Sequence, residues 1–288
     1  RRGARADNRP ARGPPRAYTA AGRCPASEGR AVSAFDDRVV LVTGASSGIG
    51  EACARAFARE GARLLLAARR VERVRAAAPG LSALGARGVR AVRLDTREPD
   101  AVRKAFDDLP AEWREIEVLV NNAGLSRGLG PLHEGSLDDW NEMIDTNVKG
   151  LLHVDRVVVP GMAARGTGIV IHIGSIAGRQ AYPGGNVYCG TKAAVKAITD
   201  GLRIDLLGTG VRVATVDPGM VRTEFSEVRF HGDREKADSV YRGMTPLAAE
   251  DVAEVVVWIA SRPAHVQIAE VVVLPSDQAS ATHVHRRA

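Results

Sequence analysis

The sequence predicts an α/β fold: a single-domain, doubly wound parallel sheet of seven strands with helices on both faces. Three observations carry this expectation. From Phe35 onward, short runs of Val, Ile and Leu alternate with stretches of helical spacing, the pattern of βαβ units joined by right-handed crossovers. Apolar residues make up 45% of the chain and aromatics only 4%, so the core must consist of Ala, Val, Leu and Ile, as in strands buried on both faces. A glycine-rich turn also stands between the first strand and the first helix.

The strands are expected at residues 39–43, 63–68, 89–94, 116–120, 168–173, 211–216 and 270–274, each a compact apolar run. The first helix is read at 48–60, with Ala52, Cys53, Ala56 and Phe57 on one face. Shorter helices are expected at about 71–78 and 99–108, long ones at 138–164 and 186–207, and a last one at 249–261. Residues 222–248 read as a charged insertion.

Charge is distributed unevenly. Residues 1–34 hold eight of the 40 basic residues and two of the 34 acidic ones, leaving 32 of each in residues 35–288. The net charge of +6 therefore belongs to the first 34 residues. That stretch is rich in Arg, Ala, Pro and Gly without apolar periodicity, and it is read as a disordered, solvated basic tail. A transit peptide and an artefactual extension are the alternatives. The domain proper is placed at 35–288. Because the remainder is neutral, no nucleic-acid partner is expected. No apolar run is long enough to span a bilayer, so no membrane partner is expected either. Cys24, Cys53 and Cys189 form no CxxC or metal-spaced group, and their number is odd. This favours a reducing, cytoplasmic location. His283 and His285 have no accompanying Cys or carboxylate, so no metal is expected.

The turn from Thr43 to Gly50 carries Gly44, Ser46, Ser47, Gly48, Ile49 and Gly50. Glycines there let a pyrophosphate approach the backbone, and the helix N-terminus behind them supplies free N–H donors. Glycines alone also serve ordinary tight turns; the strand–turn–helix setting favours a dinucleotide. The end of the second strand distinguishes the two nicotinamide dinucleotides. A carboxylate at that position would bind a ribose 2′-hydroxyl, but Arg69 and Arg70 stand there. Arginines suit a 2′-phosphate, so the expected cofactor is NADP. Asp95 and Thr96 end the third strand, and Asn122, Ala123 and Gly124 end the fourth. Asp95 is read as an acceptor for the adenine amine, and Asn122 and its neighbours as a wall for the ribose.

Tyr188 and Lys192 are four residues apart at the start of a long helix and so share one face. An ammonium near a phenol favours the phenolate and brings it toward a working pKa. Taken alone, this spacing is also that of any surface pair. Ser175 ends the fifth strand, where its hydroxyl can hold a substrate oxygen. Asn147 interrupts an otherwise apolar helical stripe.

In these motifs the chain resembles the short-chain dehydrogenase/reductase family over residues 36–288. The glycine turn Thr43–Gly50, the run Asn121–Gly124, the set Asn147, Ser175, Tyr188 and Lys192, and Pro218-Gly219 all match in order. The resemblance implies a Rossmann-type fold and hydride exchange with the cofactor. Tyr188 would be the acid in reduction and the base in oxidation. Lys192 would lower its pKa and hold the nicotinamide ribose, Ser175 would polarise the reacting C=O, and Asn147 would fix a water in a relay to Lys192. Pro218, Gly219, Met220, Val221 and Thr223 would line the nicotinamide side. A homotetramer packed through the two long helices is also implied.

Further segments are similar to one branch, the NADP-dependent 3-hydroxy acid dehydrogenases: residues 109–113, 184–188, 223–230, 263–266 and 284–286. Their small-molecule substrates are serine, allo-threonine and related short acids, or malonic semialdehyde in reverse. A carboxylate substrate needs a cation, and Arg179, Arg222 and Arg229 are the candidates. The alternatives are a broad carbonyl or aldehyde reductase on the same scaffold and a non-catalytic NADP-binding regulator.

Overall fold

The computed structural model describes residues 33–287. The predicted tail, residues 1–34, lies almost wholly outside the described residues. Seven parallel strands form one sheet in the order β3-β2-β1-β4-β5-β6-β7. They are β1 Val39–Thr43, β2 Arg63–Ala68, β3 Gly88–Arg93, β4 Ile116–Asn121, β5 Gly168–Ile173, β6 Val211–Pro218 and β7 Glu270–Val273. The strand order reverses between β1 and β4, and a sheet of this type opens a crevice at that point, beyond the carboxyl ends of its strands.

The helices are α1 Gly48–Arg59, α2 Val71–Leu84, α3 Pro99–Asp107, α4 Leu137–Ile144, α5 Gly150–Arg165, α6 Asn186–Asp205, α7 Phe225–Arg229, α8 Arg234–Ser239 and α9 Ala249–Ala260. Successive strand residues feed opposite cores. Val40 and Val42 pack with Phe57 of α1 and Val252 and Val256 of α9. Val39 and Leu41 pack with Val102 of α3 and Val154, Val158 and Met162 of α5. Period-two alternation between two apolar layers is why the strands read as continuous hydrophobic runs.

Three readings from sequence need correction. The second helix, expected at about 71–78, continues through Pro79 to Leu84 and ends at Gly85 in the left-handed region (φ 120°). Val74 and Leu81, seven residues apart on one face, are both buried, and that packing outweighs the amide lost at proline. The helix expected at 138–164 is divided by a π-helical turn at Asp145–Lys149, which holds the buried Asn147. Such wide turns mark functional positions in helices. Residues 222–248 are not featureless: they form α7 and α8, and a bridge between Val221 and Leu247 closes the segment at its base.

Among the described residues no helix is long and apolar enough to cross a membrane.

Candidate active site

The carboxyl ends of the strands open onto a cleft of about 650 Å³. Its floor is the turn between β1 and α1. Gly44 (φ 66°) and Gly48 (φ 55°) both adopt the left-handed region that favours glycine. A Cβ on Gly44 would come within 2.8 Å of Asn122 Nδ2, and one on Gly48 within 3.2 Å of Thr223. The turn is also tied to the end of β4. Thr43 Oγ1 donates to Asn121 Oδ1 at 3.1 Å and accepts the amides of Asn122 and Ala123 at 2.9 and 3.0 Å. Asn122 Nδ2 donates back to the Thr43 carbonyl at 2.9 Å. Ser47 precedes α1 in extended backbone and does not cap it with its side chain. The first turn of α1 therefore offers its N–H groups and positive dipole end to the cleft. This cradle fits a pyrophosphate: glycine backbone, helix donors and open space coincide.

At the end of β2, Arg70 Nη2 donates to Ser47 Oγ at 2.8 Å, and its Nη1 pairs with Glu224 Oε2 at 2.9 Å. Arg73 pairs with the other Glu224 oxygen at 2.6 Å. Arg69 lies 3.7 Å from Glu142. Ser46, Ile49, Thr96, Gly124 and the rest of the predicted cofactor wall border the same cleft, with two exceptions. Gly50 lies beneath the turn, where a Cβ would strike the Gly44 carbonyl and Asn122 Nδ2. Met220 faces elsewhere: its amide donates to Gln278 Oε1 at 2.8 Å, and its carbonyl accepts from Leu247. Asp95 borders the cleft, where its carboxylate is paired. Arg97 binds both of its oxygens, at 2.6 to 3.1 Å. Those hydrogen bonds hold the carboxyl below its ordinary value.

The opposite wall brings Ser175, Tyr188 and Lys192 together. Ser175 leaves β5 in extended backbone, and its Oγ accepts the Ala177 amide at 3.1 Å. Both it and the phenol of Tyr188 border the cleft. Lys192, one turn along α6, donates from Nζ to the Ile173 carbonyl at 2.8 Å. Burial lowers its ammonium to about 8. Burial pushes the Tyr188 phenol well above its ordinary value, and the cation chiefly opposing that rise is Arg229, with Ser175 acting in the same sense. Sequence spacing had pointed to Lys192 for that part. Desolvation, which no spacing reveals, dominates instead.

Asn147 is buried, and its amide is held at both ends. Oδ1 accepts from Leu125 N at 2.8 Å, while Nδ2 donates to Leu125 O at 2.8 Å and Thr191 Oγ1 at 3.0 Å. It brackets the turn after β4 against α6.

Of the three candidate substrate cations, the structure brings only Arg229 to Tyr188. Arg179 is committed to Asp217 at 2.7 Å and to Glu270. Arg222 is exposed and lies over the Tyr241 ring. The Arg229 guanidinium lies 5.3 Å from the ring centre of Tyr188, 5.1 Å from Phe225 and 5.8 Å from Tyr182. Its Nε donates to Ser126 Oγ at 3.0 Å and its Nη2 to Tyr182 Oη at 2.9 Å. It is half-buried and has no acidic partner among the described residues. Sequence reasoning missed Arg73, Glu224, Phe225 and Val228, all of which border the cleft. Arg73 was within reach, three residues from Arg70 on one helical face; the others left no local signal.

Comparison with known proteins agrees with this geometry. A family model described as short chain dehydrogenase matches residues 38–233. A protein of Salmonella typhi named NADP-dependent 3-hydroxy acid dehydrogenase is 48% identical over 250 residues, covering 86% of this chain and 99% of the relative. Sulfoacetaldehyde reductase 2 of Chromohalobacter salexigens is 46% identical, covering 84% and 95%. The solved structure of closed serine dehydrogenase complexed with NADP+ superposes with a TM-score of 0.82 at 45% identity, covering 86% of this chain and all of that one. With a parallel seven-stranded sheet, the glycine cradle and these relatives, the chain belongs to the short chain dehydrogenase family.

Proposed function

We propose that this protein is an NADP-dependent oxidoreductase acting on a short 3-hydroxy acid, with Asn147, Ser175, Tyr188 and Lys192 as its proton-transfer machinery. The observation carrying the substrate class is Arg229, a half-buried cation without a carboxylate partner among the described residues, set against the Tyr188 ring. A desolvated arginine with spare donors calls for an anion. Relatives named for a 3-hydroxy acid and for sulfoacetaldehyde support the reading, since both substrates join a reacting carbon to an anionic group.

The bound dinucleotide supplies or accepts the hydride at its nicotinamide. Everything else falls to the chain. Ser175 holds the substrate oxygen beside the Tyr188 hydroxyl. Burial keeps Tyr188 protonated, the form that donates to the nascent alkoxide in reduction. In oxidation Tyr188 takes the alcohol proton, and the Lys192 and Arg229 charges favour the resulting phenolate. Asn147 and Lys192 frame a proton exit: Asn147 Oδ1 and Lys192 Nζ lie 3.2 and 3.5 Å from the point where Gly124 would carry a Cβ. Arg70 and Arg73, beside Ser47, form the 2′-phosphate end. Arg229 takes the substrate carboxylate.

The test is a substrate panel with both cofactors: serine, 3-hydroxyisobutyrate, isethionate and an uncharged secondary alcohol, each with NADP+ and NAD+. NADP+ is expected to give kcat/KM about a hundredfold higher than NAD+. The anionic alcohols should outrun the uncharged one. Equal rates with both cofactors, or preference for the neutral alcohol, would overturn the reading.

We also infer a cytoplasmic homotetramer. Cys53 and Cys189 are free and buried, consistent with a reducing compartment. Leu152 on α5 and Ile204 and Leu207 at the end of α6 are 42%, 73% and 87% exposed, and apolar outer faces of this kind favour association. Light scattering should report four chains per particle; a stable monomer would contradict the inference.

A further inference from the structure

Glu224 is shared between two arginines at the mouth of the cleft. Its Oε2 pairs with Arg70 at 2.9 Å and its Oε1 with Arg73 at 2.6 Å. Arg70 spends its remaining terminal nitrogen on Ser47 Oγ at 2.8 Å. One carboxylate thus occupies the two guanidiniums best placed for a ribose 2′-phosphate, next to the hydroxyl of the glycine turn. The chelate is exposed: the three side chains retain 45%, 51% and 40% of their surface for Arg70, Arg73 and Glu224. Ion pairs this exposed hold weakly, so they can be broken by a better anion. A phosphate dianion offers one more oxygen and up to one more charge than a carboxylate.

The position of Glu224 in the chain gives the pair a second property. It immediately precedes α7. Phe225 stacks edge-on to Tyr188 with ring centres 5.5 Å apart, and Arg229 lies four residues further on. The arginines belong to the end of β2 and the start of α2. The Glu224 carboxylate is therefore a side-chain tie between the cofactor half of the site and the segment that faces the substrate.

We propose that Glu224 is a built-in competitor of the cofactor 2′-phosphate for Arg70 and Arg73, whose displacement frees α7 to settle over the substrate. The proposal rests on the NADP reading. Displacement costs part of the affinity gained from the phosphate, so Glu224 limits how strongly the site discriminates phosphorylated from unphosphorylated dinucleotide. It also makes the order of events physical: the phosphate arrives and the tie opens before the substrate segment closes.

The experiment is calorimetric titration of wild type and Glu224→Gln with 2′-phospho-ADP-ribose and ADP-ribose, ligands without a nicotinamide, so that no turnover enters. Glu224→Gln keeps the shape and removes the charge. The variant is expected to bind the 2′-phosphorylated ligand about fivefold tighter, the size of one weak surface ion pair. Its affinity for ADP-ribose should change less than twofold. Hydrogen exchange supplies the second readout. In wild type, 2′-phospho-ADP-ribose should change protection of residues 223–232 relative to ADP-ribose; in Glu224→Gln the two ligands should give the same pattern. If wild type prefers the phosphorylated ligand but the variant binds it equally or more weakly, Glu224 orders the arginines and does not compete, and this proposal alone fails. If wild type shows no preference, the NADP reading falls with it.

Discussion

Replacing Tyr188 with phenylalanine is expected to lower kcat by about a thousandfold while leaving NADPH affinity within about twofold of wild type. Tyr188 is 8% exposed, and it borders the cleft together with Ser175. The ring packs with Leu125, Met143 and Ala177. Phenylalanine keeps that packing and removes only the hydroxyl. No side chain near it is placed to substitute: Lys192 is turned to the Ile173 carbonyl, and Arg229 donates to Ser126 and Tyr182. Binding of NADPH, followed by nicotinamide fluorescence, and a thermal melt separate a chemical defect from a folding one. Turnover within tenfold of wild type would remove Tyr188 from the mechanism.

The second large effect is expected at Arg229. Arg229→Leu should lower kcat/KM for a 3-hydroxy acid by about a hundredfold, the loss of a charge-assisted pair in a poorly solvated site. For a neutral short-chain alcohol the same variant should change less than threefold. That contrast matters because Arg229 also supports structure, through Ser126 and Tyr182. A structural defect would depress both substrates alike, whereas loss of an anion anchor depresses only the charged one. Arg229→Lys restores a charge without the planar fork and should recover part of the loss. An equal loss on both substrates would assign Arg229 to packing alone.

Much of the fold was legible because it depends on local spacing. The runs at Val39–Thr43 and Ile169–Ile173 are mostly apolar and are buried on both faces, as a central parallel strand requires. Tyr188 and Lys192 were legible for a similar reason, since four residues make one helical turn. What spacing could not show was competition among distant partners. Arg179 and Arg229 look alike in sequence, but Arg179 meets Asp217, 38 residues away, and Glu270, 91 away. Among the described residues the Arg229 side chain meets only hydroxyls and rings. Arg97 holds both oxygens of Asp95, a pairing the sequence does not announce. Burial was equally invisible, and it determines the acidity of Tyr188 and Lys192 more than their proximity does.

The wide turn at Asp145–Lys149 acts as a phase shifter. In an uninterrupted α-helix, residues 143 and 154 would sit within about 20° of each other around the axis. One additional residue in the turn rotates everything beyond it by about 100°. Met143 consequently belongs to the small cluster around Tyr188, and Val154 to the layer beneath the sheet. A single rod thereby addresses two chambers, and its length is a quantity the enzyme cannot treat as filler: removing one residue there would swing an entire wall of the substrate chamber out of alignment while leaving the sheet intact.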